Sequence, residues 1–250
     1  MLFEPTHGNR HLRVFIDPGH GGIDPGGTGT TADGVKIGEA PINVQVALAA
    51  MRVLRDRGFS VVLSRTGSNP VARPVAGDFA EGVYTEAGEH RELVARDLCA
   101  DLAHANIVIG TDMDASTSAT SAGSVTLYNA ARSYASANLR LATLVQRDVL
   151  ASLRAAGDTV PDLGVHPDVG FGFLTAADRA YGHLVLLGPY KAGYLTTPTT
   201  VPAALIEPLY LSNPAEGSVA DSRAGQQAVG RGLANAATQF LRSFKRAQNS

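Results

Sequence analysis

Tryptophan is absent from this 250-residue chain, and cysteine occurs once, at Cys99. A single thiol excludes an internal disulfide and a cysteine-based zinc site. Charged residues are also scarce, at 18% of the chain against a usual value of about 25%. The 21 Lys and Arg residues nearly balance the 23 Asp and Glu residues, and the net charge is −2. We therefore expect no charge-driven binding to nucleic acid or to an anionic membrane.

Long apolar runs are missing as well. No stretch approaches the roughly 18 uninterrupted apolar residues of a membrane-spanning helix, so we expect no membrane span. The first residues, MLFEP, lack the basic start and apolar segment of a signal peptide. The hydrophobic content of 44% is ordinary for a globular protein, and the length allows one large domain or two small ones.

Short β-branched segments alternate along the chain with longer helical patterns. Strands are predicted over residues 12–17, 60–64, 107–109, 124–128, 183–187 and 203–207, and helices over 41–57, 86–105, 134–156 and 224–244. Residues 157–182 and 188–202 show no regular pattern. This alternation predicts an α/β fold with a mostly parallel twisted sheet and helices on both faces. We expect one domain over residues 13–245, after an N-terminal extension over residues 1–12.

Glycine is concentrated near the start of the chain. Eight of the 27 glycines lie between residues 17 and 38. Within this region the segment DPGHGG, residues 17–22, follows a predicted strand and places His20 on a tight turn. An imidazole in such a position is suited to metal binding, although it is also compatible with an ordinary turn histidine.

Several carboxylates fall at the ends of predicted elements. Glu39 lies where the helix over 41–57 begins, so it is either a rigidly held ligand or a residue that favours the helix dipole. Glu207 ends an apolar strand, where a carboxylate is costly unless it is paired, bound to metal or catalytic. Asp17 and Asp112 also follow strands. Because ligands of such folds bind at the carboxyl ends of the strands, we expect the site there.

Four segments, in order, resemble the zinc-dependent N-acetylmuramoyl-L-alanine amidases. They are VFIDPGHGG at 14–22, GEA at 38–40, VLSRT at 62–66, and AALIE at 203–207 followed by LSNPAE at 211–216. The resemblance extends from about Val14 to Phe240. It implies a hydrolase that cleaves the amide between N-acetylmuramic acid and L-alanine in peptidoglycan. It also implies that zinc is the cofactor, that His20 and Glu39 are zinc ligands, and that Glu207 is catalytic.

The position of the family's third zinc ligand, a histidine, holds Asp112 in this chain. Three interpretations follow. Asp112 can bind zinc through oxygen beside His20 and Glu39. Alternatively, zinc is lost and the chain is a silent cell-wall binding or regulatory protein. Finally, His166 or His183 can complete the ligand set. We favour the first, because the other two ligands and the catalytic glutamate are all present.

The resemblance suggests roles for further residues. Asp17 is expected to orient the zinc-binding imidazole or to satisfy backbone donors of the glycine turn. Arg65 can stabilise an oxyanion or serve structurally, and Asp114 is a candidate for supporting the metal centre or contacting substrate. The loop after Asp114 and the loop over 188–202 are expected to form walls of the substrate groove.

Peptidoglycan or muropeptides are the expected partners, and we expect a monomer. The resemblance points to a location outside the cytoplasm or in the cell wall. A zinc exopeptidase acting on free peptides is a more distant alternative.

Overall fold

The computed structural model describes residues 1–170 and 175–248, with side chains as far as residue 242. The described strands are β1 (Leu2–Phe3), β2 (Arg13–Pro18), β3 (Thr28–Thr30), β4 (Lys36–Gly38), β5 (Ser60–Leu63), β6 (Phe79–Ala80), β7 (Val83–Tyr84), β8 (Ile107–Thr111), β9 (Ser124–Tyr128), β10 (Asp162–Pro167) and β11 (Ala203–Glu207). The described helices are α1 (Glu39–Asp56), α2 (Glu86–Leu102), α3 (Ala135–Ala156), α4 (Ala176–Tyr181), α5 (Pro214–Asp221) and α6 (Arg223–Gln248). None of these helices is both long and apolar enough to cross a bilayer.

Seven of the strands form one sheet in the order β1-β5-β2-β8-β11-β9-β10. The pairs β5/β2, β2/β8, β8/β11 and β9/β10 are parallel, whereas β1/β5 and β11/β9 are antiparallel. The predicted α/β architecture with a mostly parallel sheet is therefore confirmed. The antiparallel pairs lie at β1, in the predicted N-terminal extension, and beside β11.

Helices cover both faces of the sheet. Val14 and Ile16 of β2 belong to the larger core, which is formed with α1, α3 and α6. Phe15, between them, faces the opposite way into a smaller core that includes Ala100 of α2. All three β2 side chains are fully buried, as expected for a strand covered on both faces. Full burial of each such apolar side chain stabilises the fold by about 1.5–3 kcal/mol.

Small residues let α6 pack closely against the other helices of the larger core. A Cβ atom added to Gly232 would lie 2.5 Å from the backbone Cα of Val149 in α3. One added to Gly230 would lie 2.6 Å from Ala49 Cβ in α1. Real Cβ atoms do not approach so closely, so these helices keep their positions because both residues are glycine.

Three parallel neighbours, β2, β8 and β11, end at the same edge of the sheet. The glycine-rich segment that carries His20 follows β2, Asp112 follows β8, and Glu207 is the last residue of β11. Helix α1 begins at Glu39 beside the glycine-rich segment. The fold thus brings chain positions that are far apart in sequence to one edge.

Two predicted segments differ from the structure. Residues 183–187, predicted as a strand, form a turn in which Leu187 N donates to Leu184 O at 3.0 Å. The leucines of this turn are buried in the smaller core, so the apolar run reflects burial without sheet pairing. Residues 157–182, predicted as irregular, contain β10 and α4, whereas residues 171–174 of that range lie outside the described residues. Phe244, the last residue of the predicted helix over 224–244, has a side chain outside the described part of the chain.

Candidate metal centre and active site

His20 lies on a left-handed turn after β2. Its φ angle is +61°, a strained value for a residue with a side chain, and glycines flank it on both sides. The imidazole is only 12% exposed, and its Nδ1 atom lies 2.7 Å from Asp24 Oδ2. This contact leaves Nε2 as the nitrogen that faces the other candidate ligands. Burial alone would lower the pKa of His20, but the hydrogen bond to Asp24 and the attraction of Glu39 and Asp112 raise it well above its usual value.

Two buried arginines hold the glycine-rich turn in this shape. Arg65 donates to the backbone carbonyls of Pro18, at 2.9 Å, and of Gly19. Arg96 donates to the carbonyl of His20 at 2.7 Å. Because Arg65 also donates to two further carbonyls, those of residues 40 and 67, its donors are directed at the backbone. These contacts correspond to the structural role that was the alternative to oxyanion stabilisation for Arg65. Burial, together with the nearby Arg96, lowers the pKa of Arg65 to about 10.

Glu39 is the first residue of α1 and is buried. Its Oε1 atom accepts a hydrogen bond from Gly27 N at 2.6 Å, and Gly27 O in turn accepts one from Glu39 N at 3.1 Å. A Cβ atom on Gly27 would overlap Oε1, so glycine is required at this close approach. The second oxygen, Oε2, lies 2.9 Å from His20 Nε2 but has no hydrogen-bond partner of ordinary geometry among the described residues.

Asp112 follows β8 and is also buried. Its Oδ1 atom accepts a hydrogen bond from Asn43 Nδ2 at 3.1 Å, and its backbone N donates to Ile206 O at 3.0 Å. The carboxylate packs directly on Gly19, where any side chain would overlap it. Burial, reinforced by repulsion from Glu39 and Asp17 and opposed by His20, raises the pKa of Asp112 to about 7.

One ligand atom each from His20, Glu39 and Asp112 lies within 4.8 Å of the others. An imidazole nitrogen with two carboxylate oxygens is a donor set that zinc accepts. The lack of a well-formed hydrogen bond to Glu39 Oε2 among the described residues and the raised pKa of Asp112 are both costs that a bound cation would remove. The residues present therefore fit a divalent cation.

Glu207 lies beside these residues, at the end of β11. It is buried, and its Oε1 atom has no partner in the described part of the chain. Burial, followed by repulsion from Asp114, Asp112 and Glu39, raises its pKa well above the usual value for a glutamate. A buried carboxyl group that is easily protonated and has one oxygen without a partner has the properties of a proton-transfer residue.

His20, Glu39 and Glu207 line a common cavity of about 620 Å³. Residues 114–116 and Ser121 form one wall, as predicted for the loop after Asp114. Glu89 and Thr175 contribute on another side, which the sequence did not indicate. The loop over 188–202 is not among the described lining residues, so its predicted place in the groove wall is not supported. This loop is instead held by bonds such as that from Thr200 N to Asp101 Oδ1 at 3.1 Å.

The sequence profile of the N-acetylmuramoyl-L-alanine amidase family matches residues 14–239. The chain belongs to this amidase family. Over 63 residues it is 43% identical to the sporulation-specific N-acetylmuramoyl-L-alanine amidase of Bacillus subtilis (strain 168). That match covers 24% of this chain and only 23% of the length of the relative.

Solved amidase structures share the fold. The catalytic domain of CwlV, an amidase from Paenibacillus polymyxa, aligns with a TM-score of 0.63 and 24% identity, over 92% of this chain and 98% of that one. CwlD from Clostridioides difficile, solved in complex with the GerS lipoprotein, aligns with a TM-score of 0.69 and 18% identity, over 93% and 99%. At these identities the likeness shows the fold alone.

Asp17 does not have the contact expected of it. Its Oδ1 atom accepts hydrogen bonds from Arg96 Nη1, at 2.8 Å, and from Ser64 Oγ. Asp24, four residues after His20, is the carboxylate that contacts the imidazole. The physical reason is that Asp17 lies within the buried strand β2, where it neutralises the fully buried guanidinium of Arg96. The expectation that Asp17 orients His20 is therefore corrected.

The alternative third histidines lie elsewhere. His183 Nδ1 is 3.2 Å from Asp168 Oδ2, and His166 Nε2 is 2.8 Å from Leu163 O. Neither residue is in the ligand cluster found among the described residues. Of these three candidates for the third ligand, Asp112 is the one that lies in the cluster with His20 and Glu39.

Two supporting residues, Asp24 and Asn43, were missed from the sequence. Asn43 follows Glu39 by four residues and so lies on the same face of α1. Asp24 follows His20 by four residues inside the glycine-rich segment. Both signals were available in the spacing, but neither residue type is distinctive at such a position without the contact itself.

Proposed function

We propose that this protein is a zinc-dependent hydrolase that cleaves the amide bond between N-acetylmuramic acid and the L-alanine of the stem peptide in peptidoglycan. The observation that carries the proposal is the clustering of His20, Glu39 and Asp112 within 4.8 Å, with Glu207 lining the same cavity as His20 and Glu39. Membership of the amidase family supplies the substrate class.

In this proposal His20, Glu39 and Asp112 hold the cation. Zinc bound there would act as a Lewis acid for the amide carbonyl and would make water a better nucleophile near neutral pH. Asp24 fixes the orientation of His20 through its 2.7 Å contact with Nδ1, and this contact leaves Nε2 available as the ligand atom. Asn43 restrains Asp112 in the same way.

Glu207 moves the proton. It takes a proton from the attacking water and delivers it to the leaving nitrogen, which departs as an amine. The buried, apolar-backed position on β11 suits this role, because a raised pKa lets one carboxyl group act first as a base and then as an acid. Asp114 lies close enough to influence the pKa of Glu207 and is proposed to support it from the same wall of the cavity.

The walls of the cavity are consistent with a sugar–peptide polymer. Ser116 and Ser121 provide hydroxyl groups, and Gly26 and Gly27 also line the cavity. A cavity of about 620 Å³ is within the usual range of roughly 300–1,000 Å³ for small-molecule sites. Muropeptides are the proposed ligands.

The test is digestion of purified peptidoglycan, followed by mass spectrometry of the soluble products. We expect free stem peptides that begin with L-alanine, their loss after treatment with a chelator, and their return when zinc is added. Stem peptides still joined to muramic acid after incubation with the zinc-loaded protein would contradict the proposal. A silent binding protein, the alternative reading, is not favoured, because all three candidate ligands and Glu207 keep a common arrangement.

A further inference from the structure

The candidate metal centre of this chain contains one nitrogen donor and two oxygen donors. The amidase pattern that the sequence resembles has histidine where this chain has Asp112. In the structure Asp112 is not displaced from the centre, since a carboxylate oxygen of it lies within 4.8 Å of ligand atoms of His20 and Glu39. An oxygen donor therefore replaces a nitrogen donor at this position.

Asp112 is held firmly in this role. Its carboxylate is buried between Gly19, on which it packs, and Asn43, whose Nδ2 atom donates to Oδ1 at 3.1 Å. Asn43 itself is fully buried, and its own Oδ1 atom has no partner among the described residues. The Nδ2 atom of Asn43 also donates to Gly19 O, at 3.5 Å, so Asn43 links Asp112 to the glycine-rich turn. A carboxylate restrained in this way cannot easily turn away from the centre.

Donor type governs which cation a site prefers. Imidazole suits zinc, copper, iron and nickel, whereas carboxylates suit harder cations such as manganese and magnesium. Two carboxylates also neutralise the whole charge of a divalent ion. We infer that Asp112 makes this centre accept Mn²⁺ much more readily, relative to Zn²⁺, than a histidine at the same position would. This inference rests on the proposed function only in taking the same three residues as ligands.

The effect is a change in a ratio and not a reversal of preference. Divalent zinc generally binds nitrogen and oxygen sites more tightly than divalent manganese. Exchanging one imidazole for one carboxylate weakens that advantage, and we expect the change in the ratio to be about tenfold or more. Asp112 is therefore proposed as the residue that determines cation selectivity in this protein.

The experiment is equilibrium dialysis of the purified protein against buffers containing both ions, with bound zinc and manganese measured by mass spectrometry of the elements. The wild type is compared with Asp112→His. We expect the bound ratio of zinc to manganese to be at least about tenfold larger in the variant. Equal ratios, or a smaller ratio in the variant, would overturn the inference.

A matched control adds a histidine away from the centre. Asp221 is exposed at the end of α5, and Asp221→His should keep the wild-type ratio. If Asp112→His fails to fold by circular dichroism, Asp112→Asn is used with Mn²⁺ electron paramagnetic resonance. We then expect at least about tenfold weaker Mn²⁺ binding, and unchanged binding would remove Asp112 from the ligand set.

None of these measurements uses peptidoglycan. A protein that shows the expected ratios but cleaves no muropeptide would contradict the proposed amidase reaction and leave the selectivity inference intact. Cleavage of muropeptides with no difference in metal ratio would support the proposed amidase reaction and overturn the selectivity inference.

Discussion

Replacing Glu207 by glutamine tests the proposed proton transfer with the smallest possible change of shape. The two side chains have nearly the same volume, so the packing of β11 and the 620 Å³ cavity should be preserved. The Oε1 atom of Glu207 has no partner among the described residues, so its exchange breaks no hydrogen bond to that atom. What glutamine cannot do is accept and return a proton.

The expected size of the loss follows from this chemistry. Proton transfer by a positioned side chain typically contributes about 10²–10⁴-fold to the rate. This corresponds to about 2.7–5.4 kcal/mol of activation free energy, at 1.36 kcal/mol for each factor of ten. Because Glu207 is assigned no part in holding substrate, the loss should fall on kcat and leave KM within about twofold.

The assay measures release of stem peptides from a defined muropeptide at several substrate concentrations, with metal content determined on the same samples. Glu81→Gln, an exposed change in the turn between β6 and β7, is the matched control and should keep the wild-type rate. A Glu207→Gln variant that keeps its metal and loses less than about tenfold in kcat would refute the proposed role of Glu207.

Three further changes probe stability and the support of the metal centre. Asp97 is fully buried and both carboxylate oxygens lack partners among the described residues, so burial raises its pKa well above the usual value. The folded state then binds the proton more tightly, and the wild type loses stability as the pH rises above the unfolded value of about 4. Urea unfolding should show Asp97→Asn to be more stable by about 1–3 kcal/mol at pH 7.5 but not near pH 3.5, and equal stability at both would contradict this. Gly232→Ala should cost about 1–3 kcal/mol because its Cβ would meet the backbone of α3, whereas Gly67→Ala, with open space around it, should change stability by less than about 0.5 kcal/mol. Asp24→Asn should weaken zinc binding about 10–100-fold by calorimetry, and an unchanged affinity would mean that Asp24 does not orient His20.

The main elements were predictable because their apolar patterns are long and regular. The predicted strand over 203–207 and the predicted helix over 134–156 match β11 and α3 closely. Residues 183–187 show the limit of the same reasoning. A short run of leucines signals burial, but only tertiary pairing decides between a strand and a buried turn.

The candidate site was predictable where residue type and position act together. His20 and Glu39 sit at a glycine-rich turn and a helix start, and Glu207 ends a buried strand. The sequence could not show which carboxylate contacts the imidazole of His20, because Asp17 and Asp24 both lie close to His20 in sequence. In the structure Asp17 forms an ion pair with the buried guanidinium of Arg96, from α2. Only the fold reveals that competition.

The most direct test of the metal centre is anomalous X-ray scattering from crystals grown with zinc. We expect one strong peak at about 2.0–2.2 Å from nitrogen or oxygen atoms of His20, Glu39 and Asp112, next to the Glu207 side chain. A peak elsewhere, or well-ordered side chains at these positions with no peak between them, would contradict this expectation.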